Sequence, residues 1–326
     1  MLLVFIYFMA TKTCATMFSG VGGSESGLKG SGYQPSYAIE WNQGSIDILK
    51  ANHDIPLVIH NDVTLVDYSK LPEVDLLWAS PVCCSFSRAN FKGGENNDDI
   101  KSTFAILLAA KRSQSVIIEN VPAYKNSESY SRLKLGLGQQ GFYFSKETTI
   151  NAAKYGNPAR RDRFYAIFSR SDFRTELPPE FQSSWVEMLL KYQDYWVESK
   201  LTVAQQNAID GDHSRPIPGS IYAVERCGYY KYPKIYNGLS PYPCIKSHTH
   251  HDGKNPKPGR GKIGSYRSYM DFVYEGQSYS VTPQLLGVLN GFPIDYRWGS
   301  DRAMASAGIG NAVVPRLAQI VSGLLT

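Results

Sequence analysis

An α/β fold, with a mixed sheet covered by helices on both faces and a smaller loop-rich domain, is predicted by three features of this 326-residue sequence. Apolar runs of strand length alternate with helix-like segments between Cys14 and Phe168. The first run opens into a glycine turn, Ser19-Gly20-Val21-Gly22-Gly23-Ser24, that leads a helix. Beyond Ser169 the alternation stops, and proline, glycine and tyrosine dominate as far as Ser280.

In chain order, Cys14 to Phe18 reads as the first strand, and Glu25 to Lys29 as the start of the helix after the turn. Ser36 to Trp41 reads as a second strand ending in an acid, Glu40, and an aromatic, Trp41. An acid at that place can hold ribose hydroxyls, as at the carboxyl ends of parallel strands in nucleotide-type sites. A dinucleotide fingerprint needs a third glycine where Glu25 stands, so a nicotinamide enzyme is disfavoured. Leu57 to Ile59 is strand-like and delivers Asn61-Asp62-Val63.

Val74 to Trp78 reads as a buried strand and leads to Pro81-Val82-Cys83-Cys84-Ser85-Phe86-Ser87. A cysteine at a strand tip can be held rigidly as a nucleophile, and the polar loop from Arg88 to Asp99, hinged at Gly93-Gly94, can close over it. Ile100 to Arg112 has helical periodicity, with Phe104, Leu107 and Leu108 on one face. Ser115 to Ile118 is a buried strand that delivers Glu119-Asn120-Val121-Pro122. A glutamate there is costly to bury unless it has a partner or a catalytic task. Ala159-Arg160-Arg161-Asp162-Arg163 precedes the strand Phe164 to Phe168, and alternation puts Arg161 and Arg163 on one face. Between Tyr222 and Arg267 basic residues, among them Arg226, Lys231 and Lys234, interleave with tyrosines such as Tyr229, which suits a phosphate backbone. Thr282 starts a helix with Pro283 in its first turn, and Gly308 to Pro315 leads an amphipathic C-terminal helix.

The bulk properties agree with a globular chain: 43% hydrophobic, 19% charged, net charge +5. That charge is compatible with a polyanion but does not demand one. The five cysteines, Cys14, Cys83, Cys84, Cys227 and Cys244, include no CxxC pair. This argues against a disulfide framework or zinc site and for a reducing compartment, expected to be the cytoplasm. His248, His250 and His251 have no convergent cysteine or carboxylate set, so no metal is expected. Met1 to Ala10 is apolar but far short of the roughly 20 residues of a membrane span. It reads as a lead-in, or as a start assigned too early, with Met9 and Met17 as alternatives.

Pro81 to Ser87 resembles the Pro-Pro-Cys-Gln-x-Phe-Ser segment of the DNA cytosine-5 methyltransferases. The remaining motifs are similar in order: Phe18-x-Gly20-x-Gly22-Gly23, Glu40-Trp41, Glu119-Asn120-Val121, Arg161-x-Arg163, Val281 to Pro293 and Gly308 to Pro315. The resemblance implies a Rossmann-like methyltransferase that uses S-adenosylmethionine and releases S-adenosylhomocysteine. It implies cofactor contacts from Phe18, Gly20, Gly22, Glu40, Trp41, Asp62, Val63, Pro81, Asn311, Ala312 and Val313. Cys83 would attack carbon 6 of cytosine and Glu119 would bond ring nitrogen 3. Arg161 would hold the ring carbonyl oxygen, Arg163 would steady the loop or the base, and Asn120 would orient the Cys83 loop. Ser85, Ser87, Arg88, Arg226, Tyr229, Lys231 and Lys234 would face nucleic acid. Residues 11–168 with 300–326 would form the catalytic domain and 169–299 a target-recognition domain.

The implied partner of this chain is double-stranded DNA, engaged by a monomer without a membrane and with a cognate restriction endonuclease as a further partner. A tRNA methyltransferase of the same fold and a silent DNA-binding relative are the alternatives. Three positions depart from the motifs: Thr16, where many relatives carry an acid, Cys84 in place of glutamine, and Ala159 in place of glutamine.

Overall fold

The computed structural model describes residues 11–86, 94–211, 220–226, 233–245 and 270–326. Ser87, Arg88, Tyr229, Lys231 and the histidine group at 248–251 lie outside them.

The first half builds one sheet from β1 (Lys12–Met17), β2 (Tyr33–Glu40), β3 (Leu57–His60), β4 (Val74–Ala79), β5 (Ser113–Asn120), β6 (Phe144–Asn151) and β7 (Asp162–Ser169). Its order is β3-β2-β1-β4-β5-β7-β6, parallel from β3 to β5, with β7 antiparallel to both its neighbours. The helices are α1 (Gly23–Gly30), α2 (Gln43–Asn52), α3 (Asn97–Ala110) and α4 (Glu128–Gln139). Strands buried on both faces need continuous apolar runs, and β4 and β5 supply them: Leu76, Leu77, Trp78, Val116, Ile117 and Ile118 have no exposed surface. Asn42 starts α2 by accepting from Ser45 N at 2.9 Å, and Asn96 with Asp99 closes a reciprocal cap on α3.

After β1 the chain winds to β2 and β3 on one side; β4 and β5 extend the sheet on the other. The winding therefore reverses between β1 and β4, where the carboxyl ends of parallel strands leave a crevice.

Among its described residues, the region between β7 and the C-terminal helices holds more regular structure than its composition suggests. It contains α5 (Trp185–Lys191), α6 (Val203–Gly211) and a second sheet in the order β10-β9-β11-β12-β8. These strands are β8 (Val197–Glu198), β9 (Tyr222–Glu225), β10 (Ile235–Asn237), β11 (Met270–Tyr274) and β12 (Gln277–Ser280). None exceeds 5 residues, too short for an alternation to register. β6 also escapes the sequence reading, because its Phe144-Ser-Lys-Glu-Thr-Thr-Ile-Asn run is mostly polar and only Ile150 is fully buried.

α3 corrects a further expectation. It turns Thr103, Ala105, Ile106, Ala109 and Ala110 to the sheet and leaves Phe104 and Leu108 half exposed. The small alanine face lets the helix lie close against the strands. The C-terminal helices are α7 (Pro283–Leu289), α8 (Arg302–Asn311) and α9 (Pro315–Ser322), and α9 packs on α1.

Candidate active site

Register brings the motif residues together. Met17 of β1 pairs with Ile39 of β2 and with Ala79 of β4, and Ala79 pairs with Ile118 of β5. Phe18, Glu40, Ser80-Pro81 and Glu119 each follow one of these neighbours, so all emerge at the same end of the sheet, at the winding reversal.

On the β1–β2 side, Phe18 takes φ 60°, a left-handed conformation costly for a non-glycine residue, and packs on the core beneath it. Glu40 is buried. Its Oε2 accepts from Gly20 N at 2.8 Å, and its Oε1 accepts from Trp41 N at 3.0 Å and Asn42 N at 2.9 Å. Burial pushes the Glu40 carboxyl up, against the pull of these three amides. Trp41 is 69% exposed, a free flat surface beside that acid. Asp62 caps a short turn by accepting from Thr64 N at 2.8 Å through Oδ1, and Val63 is buried in the core.

Gly22, expected to line the cofactor crevice, does not offer its main-chain N–H to it. Its N–H is spent on Ser19 O at 3.2 Å. With φ 95° it sits under His53 and Tyr296, each 2.6 Å from where a Cβ would be. Its glycine identity is thus demanded by packing and by the left-handed turn. Gly23 lets the C-terminal segment approach: a Cβ there would meet Val313 O at 2.1 Å. That contact holds buried Ala312 and Val313 against the turn, with Asn311 exposed beside them.

On the β4–β5 side, Asn120 Nδ2 donates to Pro81 O at 2.8 Å, two residues before Cys83. Cys83 is partly buried and precedes a single turn of 3₁₀ helix, Cys84–Phe86, whose Phe86 N donates to Cys83 O at 3.1 Å. Ser85 is half-buried, with Asn96 Nδ2 at 3.3 Å from its hydroxyl. Glu119 pairs across the sheet with Tyr165, so Arg163, two residues away on the same face, reaches it diagonally. Arg163 Nε lies 3.0 Å from Glu119 Oε1, with both side chains largely buried.

Arg161 does not do what was expected of it. It is fully enclosed, donating from Nη1 to Ile245 O at 2.9 Å and from Nη2 to Gly310 O at 2.9 Å and Ala312 O at 3.0 Å. Burial, with Arg163 nearby, pushes its guanidinium down to about 10, so it is a cation at neutral pH spent on main-chain carbonyls. Both terminal nitrogens serve the scaffold, leaving Arg163 as the arginine beside Glu119. Ala159 is buried in an apolar cluster with Tyr242, Ile245 and Leu289, a place without room for a solvated amide.

Arg226 is a second correction. Its guanidinium grips Asp271, Nε to Oδ2 at 2.5 Å and Nη2 to Oδ1 at 2.9 Å, and Asp271 has no exposed surface. Gln205 Nε2 also donates to Asp271 at 2.8 Å. Arg226 is therefore a strut of the second sheet, not a free cation for phosphate. Lys234 borders the same sheet, its N–H donating to Glu225 Oε2 at 3.4 Å.

The reading of the sequence missed a buried polar group under the glycine turn. Thr16 Oγ1 lies 2.6 Å from Glu25 Oε1 and 2.7 Å from Ser19 Oγ, and Ser24 Oγ lies 2.8 Å from Glu25 Oε2. The signal available was the acid itself, standing where the glycine motif would carry its third glycine.

Comparison with known proteins agrees with this geometry. A family model described as C-5 cytosine-specific DNA methylase matches residues 13–325. The Type II methyltransferase M.NlaX of Neisseria lactamica is 25% identical over 312 residues, covering 91% of this chain and 90% of that protein. M.Bsp6I of Bacillus sp. (strain RFL6) is 28% identical over 165 residues, so the chain spans about half of that relative, 52%. The fold is shared with a DNMT2 structure from Spodoptera frugiperda, at TM-score 0.64 and 16% identity, covering 97% of this chain and 100% of that one. Since the match to the family runs over nearly the whole chain, the protein belongs to the C-5 cytosine-specific DNA methylases and is a methyltransferase.

Proposed function

We propose that the chain methylates carbon 5 of a flipped-out cytosine in duplex DNA, with Cys83 forming a transient covalent adduct. One observation carries the reading: the Cys83 turn, tethered by Asn120, emerges beside the buried Glu119–Arg163 pair at the same sheet end as Glu40. The residues on the β1–β2 side fit S-adenosylmethionine. Glu40 keeps one acceptor site, on Oε2, after its three amide contacts, Gly20 has open space where a side chain would be, and Trp41 is exposed. When bound, the cofactor supplies an electrophilic methyl group.

A cytosine ring is too poor a nucleophile at carbon 5 to take that methyl unaided. The Cys83 thiolate bonds to carbon 6 and pushes electron density to carbon 5. Glu119 hydrogen-bonds ring nitrogen 3 and the amino group. Arg163, in place of Arg161, takes the ring carbonyl oxygen, since its second terminal nitrogen has no bond among the described residues. After carbon 5 is methylated a base removes its proton, and the carbon 6–sulfur bond breaks to release Cys83. A stacked base cannot reach the crevice, so it must swing out of the duplex. In this reading residues 11–168 and 300–326 are the catalytic domain, 169–299 recognise the target, and an endonuclease of the same specificity is the partner.

The test is incubation of the purified chain and of Cys83→Ser with methyl-labelled cofactor and, separately, duplex DNA and tRNA. Label in DNA from the wild type alone, as 5-methylcytosine, is expected. Label confined to tRNA moves the chain to an RNA substrate. Cofactor binding without label in either substrate refutes the catalytic reading.

A further inference from the structure

We propose that Glu25 is a specificity-determining residue of the cofactor crevice, setting a negative potential that favours a net-cationic sulfonium over its neutral thioether product. The proposal rests on the cofactor reading above and deepens it.

Glu25 is only 2% exposed, in the first turn of α1 directly beneath the Ser19–Gly23 turn. Among the described residues its carboxylate accepts from hydroxyls only, Thr16 at 2.6 Å and Ser24 at 2.8 Å. Glu40, which accepts from Gly20 N of the same turn, is also buried and is pushed up by its own burial and, further, by Glu25. Neither forms an ion pair among the described residues. The nearby imidazole, His53, is held below its ordinary value by burial, so it does not supply the missing cation at neutral pH. Two desolvated carboxylates flanking one glycine turn leave a site short of positive charge, which a ligand can bring.

The route from Glu25 to the turn is explicit. A hydroxyl has one proton, and that of Thr16 is committed to the carboxylate. Thr16 therefore accepts from Ser19, whose hydroxyl lies 2.7 Å away. The relay orients the Ser19 oxygen at the start of the turn with its lone pairs free of Thr16. A threonine where relatives carry an acid thus does not leave the crevice without one. The carboxylate arrives nine positions later, from the helix. S-adenosylmethionine carries an ammonium, a carboxylate and a sulfonium, net positive. Its product has lost the sulfonium charge and is net neutral. A fixed negative potential stabilises the first more than the second and so assists exchange after transfer.

The experiment is calorimetric binding of three ligands to wild type and Glu25→Gln: the cofactor, its thioether product, and sinefungin, in which an ammonium-bearing carbon replaces the methylsulfonium. Glu25→Gln is expected to weaken cofactor and sinefungin about tenfold relative to the product. Equal weakening of all three, or no change, overturns the proposal by giving Glu25 a purely structural role or none. Should Glu25→Gln not fold, Thr16→Val carries the test. It leaves the Glu25 charge in place and removes one hydroxyl that screens it, so the preference for the two cationic ligands over the product is expected to hold or rise; a preference that falls overturns the proposal. Failure of the wild type to bind any of the three would instead refute the cofactor reading itself.

Discussion

Arg161→Met distinguishes a scaffold arginine from a catalytic one. The substitution keeps most of the apolar stem and removes the donors to Ile245 O, Gly310 O and Ala312 O. Leaving a buried acceptor unpaired costs about 1–3 kcal/mol, so three carbonyls set a gross loss of ~3–9 kcal/mol. Part is returned because a guanidinium no longer has to be desolvated, which leaves a net loss of about 3–5 kcal/mol. At about 2.1 cal/mol/K per residue, 326 residues unfold with an entropy of ~0.7 kcal/mol/K, so the midpoint should fall by about 4–7 °C. The assay is a thermal melt followed by circular dichroism, with cofactor affinity measured on the folded variant. Affinity should fall too, because Gly310 and Ala312 hold the segment that meets Gly23. An unchanged midpoint with methyl transfer abolished would refute the reasoning and return Arg161 to the base pocket.

The same contacts give further expected outcomes. Arg226→Ala strands the fully buried Asp271 charge and should cost about 3–5 kcal/mol in a urea melt, while the salt dependence of DNA binding keeps its slope. Gly23→Ala forces a Cβ against Val313 O, and should cost about 1–3 kcal/mol and weaken cofactor binding measured by calorimetry. His53 is held below its ordinary 6.5 by burial, so the unfolded chain binds the extra proton first as pH falls. Stability should therefore drop through the window below 6.5 and be unaffected by this group above it; His53→Gln should remove that part of the slope in melts across pH.

Much of the catalytic half was legible because parallel sheets announce themselves. A strand buried on both faces must be a short apolar run, and the residue after it must stand at the carboxyl end. Cys83, Glu119 and Glu40 each come after such a run, so their common location could be read without coordinates. The second sheet could not be read in this way. Its strands have only 2 to 5 residues, and the pairing at its centre, β9 with β11, joins segments far apart in the chain. Nothing local marks that pairing.

Roles of charged residues were the other thing hidden from the sequence. Alternation states which face Arg161 occupies, but not that carbonyls from positions 245, 310 and 312 arrive there to occupy it. Arg226 sits in a basic, aromatic-rich stretch, and only the arrival of Asp271 from 45 residues away turns it into a strut. Glu25 looked like a defect in a glycine motif until Thr16 and Ser19 were found beside it. By itself the sequence determined the α/β class, the family and the ends of the strands where its motifs gather, because periodicity and motif order are local properties. Only the tertiary structure decided which of its charges are free to meet a ligand, because a charge is committed by its neighbours in space.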